Sequence, residues 1–96
     1  MPTNPQVADH FVSKDTGDLY GSNLFVQGDV LYSFGLHWPI AVRQGDVVVI
    51  NATKRSKSST VHVGLITSAL TLAGQAFRMS TMDEVKKIIK ENEDDA

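Results

Sequence analysis

The sequence predicts a small α+β domain, in which an antiparallel sheet of about four strands packs against two helices. Three observations lead to this fold class. Short runs of β-forming residues, separated by turns that contain glycine, fill positions 23–51. A longer segment near 60–73 begins with helix-capping residue types, and a segment near 82–92 is amphipathic.

The sheet is predicted from four runs of β-forming residues. Turn signals stand between them at Gln27-Gly28-Asp29 and at Gln44-Gly45-Asp46, which favours hairpins of an antiparallel meander. The last run has four β-branched residues in a row, which indicates a strand buried on both faces. The runs are Leu24–Val26, Val30–Phe34, Ile40–Arg43 and Val47–Ile50.

The first helix is predicted from a segment whose period is ambiguous. Val61, Val63 and Leu65 alternate with other residues as in a strand, but Val61, Leu65, Ala69 and Leu72 also share one helical face. The length of the segment and the Ser58-Ser59-Thr60 start favour a helix that ends at Gly74. The following stretch, Ala76–Met79, is either a last strand or a connector.

The second helix has the clearest local signals. Thr81 and Glu84 fit a capping box, in which the Thr81 hydroxyl bonds forward and the Glu84 side chain reaches back. Asp83 and Glu84 suit the positive end of the helix dipole. The apolar residues form a single stripe, which consists of Met82, Val85, Ile88 and Ile89.

The chain of 96 residues is long enough for one domain, which we place at 23–92. Residues 1–22 have little periodicity and several turn formers, so they are interpreted as a partly ordered arm, with a disordered tail as the alternative. Residues 93–96 are expected to fray. Cysteine is absent, no apolar stretch approaches the roughly 20 residues of a membrane span, and Met1–Asp9 is not a signal peptide. We therefore expect a cytoplasmic protein with no membrane association.

The net charge of −2 is unevenly distributed along the chain. Six acids against three bases follow position 82, so the remainder is slightly basic. Three of its bases crowd into a segment that we call the basic loop, which comprises Lys54, Arg55, Lys57, Ser59 and Thr60. Cations, hydroxyls and free amides at a helix start suit an anion such as phosphate. The alternative is a solvated loop with an ordinary helix cap.

Four aromatic or imidazole side chains lie close together in the sequence at Tyr32, Phe34, His37 and Trp38. Exposed aromatics beside cations can stack on bases or anchor a protein partner. A chain with seven aromatics also needs most of them in its core, and we expect Tyr32 and Phe34 there. His37 and Trp38, which we call the aromatic corner, remain as candidates for binding.

The histidines His37 and His62 could pair as acid and base or as metal ligands. No nucleophile elbow, second carboxylate or third ligand stands at a motif spacing near them. A structural, hydrogen-bonding histidine is the favoured interpretation. We therefore predict no enzyme activity, no metal and no cofactor.

About half of the chain, Asn23–Leu70, resembles a small domain of unknown function found in many phages and some archaeal viruses. Members carry a stretch close to Gly-Asp-x-Leu-Tyr-Ser-Tyr-Gly-x-His-x-Pro-Ile-Ala, which is matched from Gly28 to Ala41 with Phe34 in place of the second tyrosine. An apolar strand that ends in Asn51 and a Ser/Thr-rich stretch before His62 continue the likeness. This chain departs from the family at Val61, Val63, Thr67 and Ser68, where relatives usually have polar or basic residues. The resemblance implies a viral or mobile-element origin, favours helix over Thr60–Ala73 and implies no activity.

The sequence thus predicts a phage-encoded accessory protein of the host cytoplasm. It would bind a host macromolecule, a defence or replication protein, through the basic loop and the aromatic corner. The alternative is a nucleic-acid-binding module that uses the same loop, although the acidic C-terminus and the negative net charge argue against it. A weaker alternative is a binder of a small phosphorylated ligand.

Overall fold

The structure, a computed structural model, describes residues 3–13, 17–34, 38–53 and 57–94, and of residues 57–59 only the backbone. Within these ranges the chain forms three helices and six strands. The helices are α1 (Asn4–Val12), α2 (Lys57–Leu72) and α3 (Met82–Asp94). The strands are β1 (Leu19–Tyr20), β2 (Leu24–Gln27), β3 (Val30–Ser33), β4 (Pro39–Gln44), β5 (Val47–Asn51) and β6 (Phe77–Ser80).

The strands form one sheet in the order of the chain, β1 to β6. The pairs from β1 to β5 are antiparallel, so the predicted meander is confirmed for β2 to β5. Strand β6 pairs parallel to β5 because α2 crosses over between them. The α+β class is confirmed, whereas the prediction of about four antiparallel strands and two helices is wrong in detail. Strand β1 has only two residues and is too short to carry a readable period, whereas β6 overlaps the stretch Ala76–Met79, for which a last strand was one of the two interpretations.

The two predicted hairpin turns have the geometry that their glycines permit. Gly28 and Gly45 each have a φ of 60°, and each opens a two-residue turn between paired strand ends. Positive φ at the first turn position is the geometry of a type II′ hairpin, which matches the twist of the strands. Asp29 and Asp46 occupy the second turn positions, as turn chemistry predicts.

Helix α1 and strand β1 both lie in residues 1–22, which the sequence analysis interpreted as a partly ordered arm or a disordered tail. Thr3 and Gln6 form a capping box at its start, with Thr3 N donating to Gln6 Oε1 over 2.8 Å. Pro5 lies in the first turn of α1, where its fixed φ and missing N–H cost nothing, so this apparent turn former belongs to a helix. Val7, Ala8 and Phe11 are buried, which makes α1 part of the core.

Two hydrophobic clusters lie on opposite faces of the sheet. The larger cluster joins the sheet to α1 and α2, and the smaller one joins it to α3. In β5 the side chains of Val48 and Ile50 belong to the larger cluster and that of Val49 belongs to the smaller one. The prediction that this strand is buried on both faces is confirmed.

The end of α2 confirms Gly74 as a helix stop. Gly74 has a φ of 69°, its N–H donates to Thr71 O over 3.1 Å, and Gln75 N donates to Leu70 O over 2.9 Å. This pair of bonds is the Schellman motif, in which a residue with positive φ satisfies the last helical carbonyls. The ambiguous segment that follows Thr60 is therefore helical.

The start of α3 is capped from two directions. Thr81 Oγ1 accepts from Glu84 N over 3.3 Å, as predicted, and Thr53 Oγ1 accepts from Met82 N over 3.1 Å. The return half of the predicted capping box is wrong. The Glu84 carboxylate instead accepts from Arg78 Nη2 over 2.6 Å and from Ser80 Oγ over 2.9 Å, and these bonds lower the pKa of Glu84.

Replacing Thr81 by alanine is expected to lower the free energy of unfolding by about 0.5–1 kcal/mol, the lower part of the usual range for a lost cap. Thr53 continues to satisfy one amide of the first turn, which limits the loss. Urea denaturation measures the change. Thr71→Ala is the matched control, because Thr71 is an exposed helical threonine whose hydroxyl donates to Thr67 O within α2 over 2.8 Å and caps no helix end, and it should be neutral or slightly stabilising. Equal stabilities for the two variants would contradict the cap.

Candidate partner-binding surface

The structure describes part of the predicted surface. Lys54, Arg55 and His37 lie outside the described residues. Lys57 and Ser59 lie in the first turn of α2, where the backbone is described, and Thr60 follows as an exposed residue. Trp38 is half-buried and packs against the larger cluster, so this half of the aromatic corner also supports the core.

A contact between β3 and α2 joins the described residues next to the two predicted binding segments. Ser33 N donates to Trp38 O over 2.9 Å, which ties the described half of the aromatic corner to the end of β3. Ser33 Oγ and His62 Nδ1 share a hydrogen bond of 2.7 Å. Because His62 follows Thr60 by two residues, the start of α2 is fixed beside the end of β3.

The Ser33–His62 pair is structural. Ser33 is 0 % exposed and His62 is 5 % exposed, so neither is accessible to a substrate. Burial lowers the pKa of His62, which favours the neutral ring at physiological pH. His62 is thus a buried, hydrogen-bonding histidine whose bond ties α2 to the sheet, as expected, whereas His37, for which the same was expected, lies outside the described residues.

Phe34 is the residue that sequence reasoning misplaced. We expected it in the core beside Tyr32, but it is 44 % exposed, whereas Tyr32 packs against the smaller cluster. Strand β3 ends at Ser33, and Phe34 has a φ of 59°, a left-handed conformation that is rare for a bulky residue. The turn away from the strand carries the ring onto His62, with ring centres 5.0 Å apart. No sequence signal marks this change of direction.

Acidic and basic residues are unevenly distributed along the chain. Between Asp46 and Asp83 the sequence has no acidic residue, and its bases are Lys54, Arg55, Lys57 and Arg78. Of these bases, Arg78 pairs with Glu84, with 2.6 Å between Nη2 and Oε1. Helix α2 covers one face of the sheet, and the charged helix α3 covers the other.

Two further kinds of functional feature are absent from the described residues. Among them, no group of three or more His, Cys, Asp or Glu side chains is arranged to hold a metal ion. No helix in the described ranges has the length and apolarity needed to cross a membrane.

Comparisons with family models, with curated proteins and with solved structures find no match for this chain.

Proposed function

We propose that this protein is a phage-encoded accessory protein, without enzymatic activity, that binds a host protein through the surface where the end of β3 meets the start of α2. The observation that carries the proposal is Phe34, a large apolar side chain that is 44 % exposed in a left-handed backbone conformation. Backbone strain of this kind costs about 1–3 kcal/mol and tends to occur at functional sites. The likeness of residues 23–70 to a viral domain supports a host partner.

The chemistry of the surface indicates an acidic protein partner with an apolar anchor. An aromatic side chain that is partly exposed offers the kind of contact that dominates binding energy at protein interfaces. The bases Lys54, Arg55 and Lys57 precede or begin the helix that Phe34 contacts, and no acid stands between them and Asp83. Complementary charge on a partner would accelerate its association and fix its orientation.

The decisive variant neutralises the basic loop with Lys54→Ser, Arg55→Ser and Lys57→Ser. Once a pull-down from host lysate has identified the partner, we expect this triple variant to bind it at least tenfold more weakly, mainly through slower association. Its melting curve, followed by circular dichroism, should stay close to that of the wild type, because surface changes rarely exceed about 0.5 kcal/mol each.

A matched control carries the same change of charge on the other side of the sheet. Lys86, Lys87 and Lys90 are exposed on α3, so their triple replacement by serine should leave partner binding unchanged. Wild-type affinity of the basic-loop variant at low salt would overturn the proposal. A large loss of stability in that variant would also overturn it, by showing that these cations support the fold.

The nucleic-acid alternative is tested with the wild-type protein alone. Oligonucleotide binding that weakens steeply with salt would indicate phosphate contacts. The partner would then be a nucleic acid and not a protein. Absence of binding at low salt supports the protein partner. If inorganic phosphate at millimolar concentration displaces the bound oligonucleotide, the result would instead support a small phosphorylated ligand at the start of α2.

A further inference from the structure

The outer face of α2 carries two exposed apolar side chains that the surface around Phe34 does not explain. Val61 is 67 % exposed and Leu72 is 89 % exposed. They are eleven residues apart, which is about three helical turns, so they lie on the same side of the helix. No residue from Ser58 to Leu72 carries a formal charge at neutral pH when His62 is neutral. The solvent side of α2 is therefore a long uncharged surface with an apolar residue near each end.

Gly64 is not explained by the fold of a single copy. It is exposed in the interior of α2, where glycine destabilises a helix relative to alanine. A Cβ atom at this position would meet nothing within 4 Å, so nothing in the described fold requires its absence. A backbone that approaches closely from outside the molecule would require it.

The ends of α2 lack the charges that normally offset a helix dipole. Its first turn contains Lys57 and no acidic residue, and its last turn contains no basic residue. The positive N-terminal end and the negative C-terminal end are therefore both left uncompensated by the helix itself. A second α2 lying antiparallel would place each positive end against a negative end.

The groove beside the C-terminal end of α2 adds to this complementarity. It lies between α1 and α2, has a volume of about 610 Å³, and is lined by Asp9, Val12, Ser13, Ala69, Leu72, Ala73 and Gln75. Asp9 contributes negative charge at the end that would face the positive N-terminal end of α2 in an antiparallel copy. The four apolar residues of the lining suit Val61 of that copy.

We propose that the outer face of α2 is the interface of a homodimer, in which two α2 helices pack antiparallel about a two-fold axis. The face is self-complementary in this arrangement. Val61 of each copy lies opposite Leu72 of the other, and Gly64 of each copy lies opposite Ser68, where small side chains let the backbones approach. Two-fold pairing of one surface patch with itself is the commonest form of protein self-association. The inference goes beyond the proposed function and does not depend on it.

Sedimentation equilibrium of the full chain tests the dimer. One helical face is a small interface, so we expect a dissociation constant in the micromolar range. Leu72→Lys should raise this constant at least tenfold, because it places a cation opposite Val61 and beside the positive N-terminal end of the other copy's α2. In the monomer the change is harmless, since Leu72 is 89 % exposed and a lysine in the last turn suits the helix dipole. Met79→Lys is the matched control, since Met79 is 50 % exposed on β6, and it should dimerise as the wild type does.

Two further variants test the geometry. Gly64→Ala should weaken dimerisation at least threefold without lowering the melting temperature of the dilute monomer. The chain has no cysteine, so Ser68→Cys introduces a unique thiol, which a short bifunctional thiol reagent should cross-link to a second copy, whereas Met79→Cys should not cross-link. A wild type that stays monomeric up to about 1 mM, or a Leu72→Lys variant that dimerises normally, would overturn the inference. Tighter dimerisation of Gly64→Ala would also overturn it.

Discussion

The Val49→Asp variant is expected not to fold. Val49 is 0 % exposed in β5, which lies between β4 and β6, and its side chain packs in the cluster beneath α3. Its neighbours in that cluster are apolar, and they include Val42 across the strand pair and Val85 of α3. A carboxylate there has no partner, and burying it costs several kcal/mol, a large fraction of the total stability of a domain this small.

The variant is compared by circular dichroism and urea denaturation with Gln44→Asp, which places the same residue at the exposed end of β4. The control should fold with a free energy of unfolding within about 0.5 kcal/mol of the wild type. A soluble Val49→Asp protein with a cooperative transition would contradict the position of β5 inside the sheet.

Local patterns in the sequence predicted the parts of the fold that local interactions determine. The β2 to β5 meander is encoded by β-forming runs and by glycines with positive φ, and α3 by its amphipathic stripe. Strand β6 forms because α2 returns the chain parallel to β5, and this pairing depends on residues far apart in the sequence. Helix α1 was missed because Pro5 reads as a turn former unless its place in a first helical turn is known.

In the candidate site, too, local features could be predicted from the sequence, and features that depend on long-range packing could not. The structural role of His62 could be predicted from the absence of catalytic partners, but its bond to Ser33, 29 residues earlier in the chain, depends on the packing of α2 against the sheet. Phe34 was placed in the core because a chain with seven aromatic residues needs most of them inside. The chain leaves the strand at Ser33, and a change of backbone direction at one residue has no periodic signal.

Asn51, a polar residue at the end of β5, is hydrogen-bonded both to the sheet and to the segment that follows it. Asn51 is 0 % exposed, and its Nδ2 donates to Pro39 O over 2.9 Å. Its Oδ1 accepts from Thr53 N over 2.9 Å, and Thr53 in turn caps α3 through Met82 N. Asn51 therefore fixes the direction of the chain immediately before the basic loop.

Asn51→Ala is expected to lower the free energy of unfolding by about 2–4 kcal/mol. It removes the partner of the buried Pro39 carbonyl, which costs about 1–3 kcal/mol, and it leaves a small cavity between β5 and α3. Asn92→Ala is the matched control, because Asn92 Nδ2 also donates to a strand carbonyl, Arg43 O, over 2.9 Å, but the residue is only half-buried. The control should lose about 0.5–1.5 kcal/mol in urea denaturation. Equal losses of unfolding free energy in the two variants would mean that the burial of Asn51 adds nothing to stability. They would also contradict the role of Asn51 in fixing the direction of the chain before the basic loop.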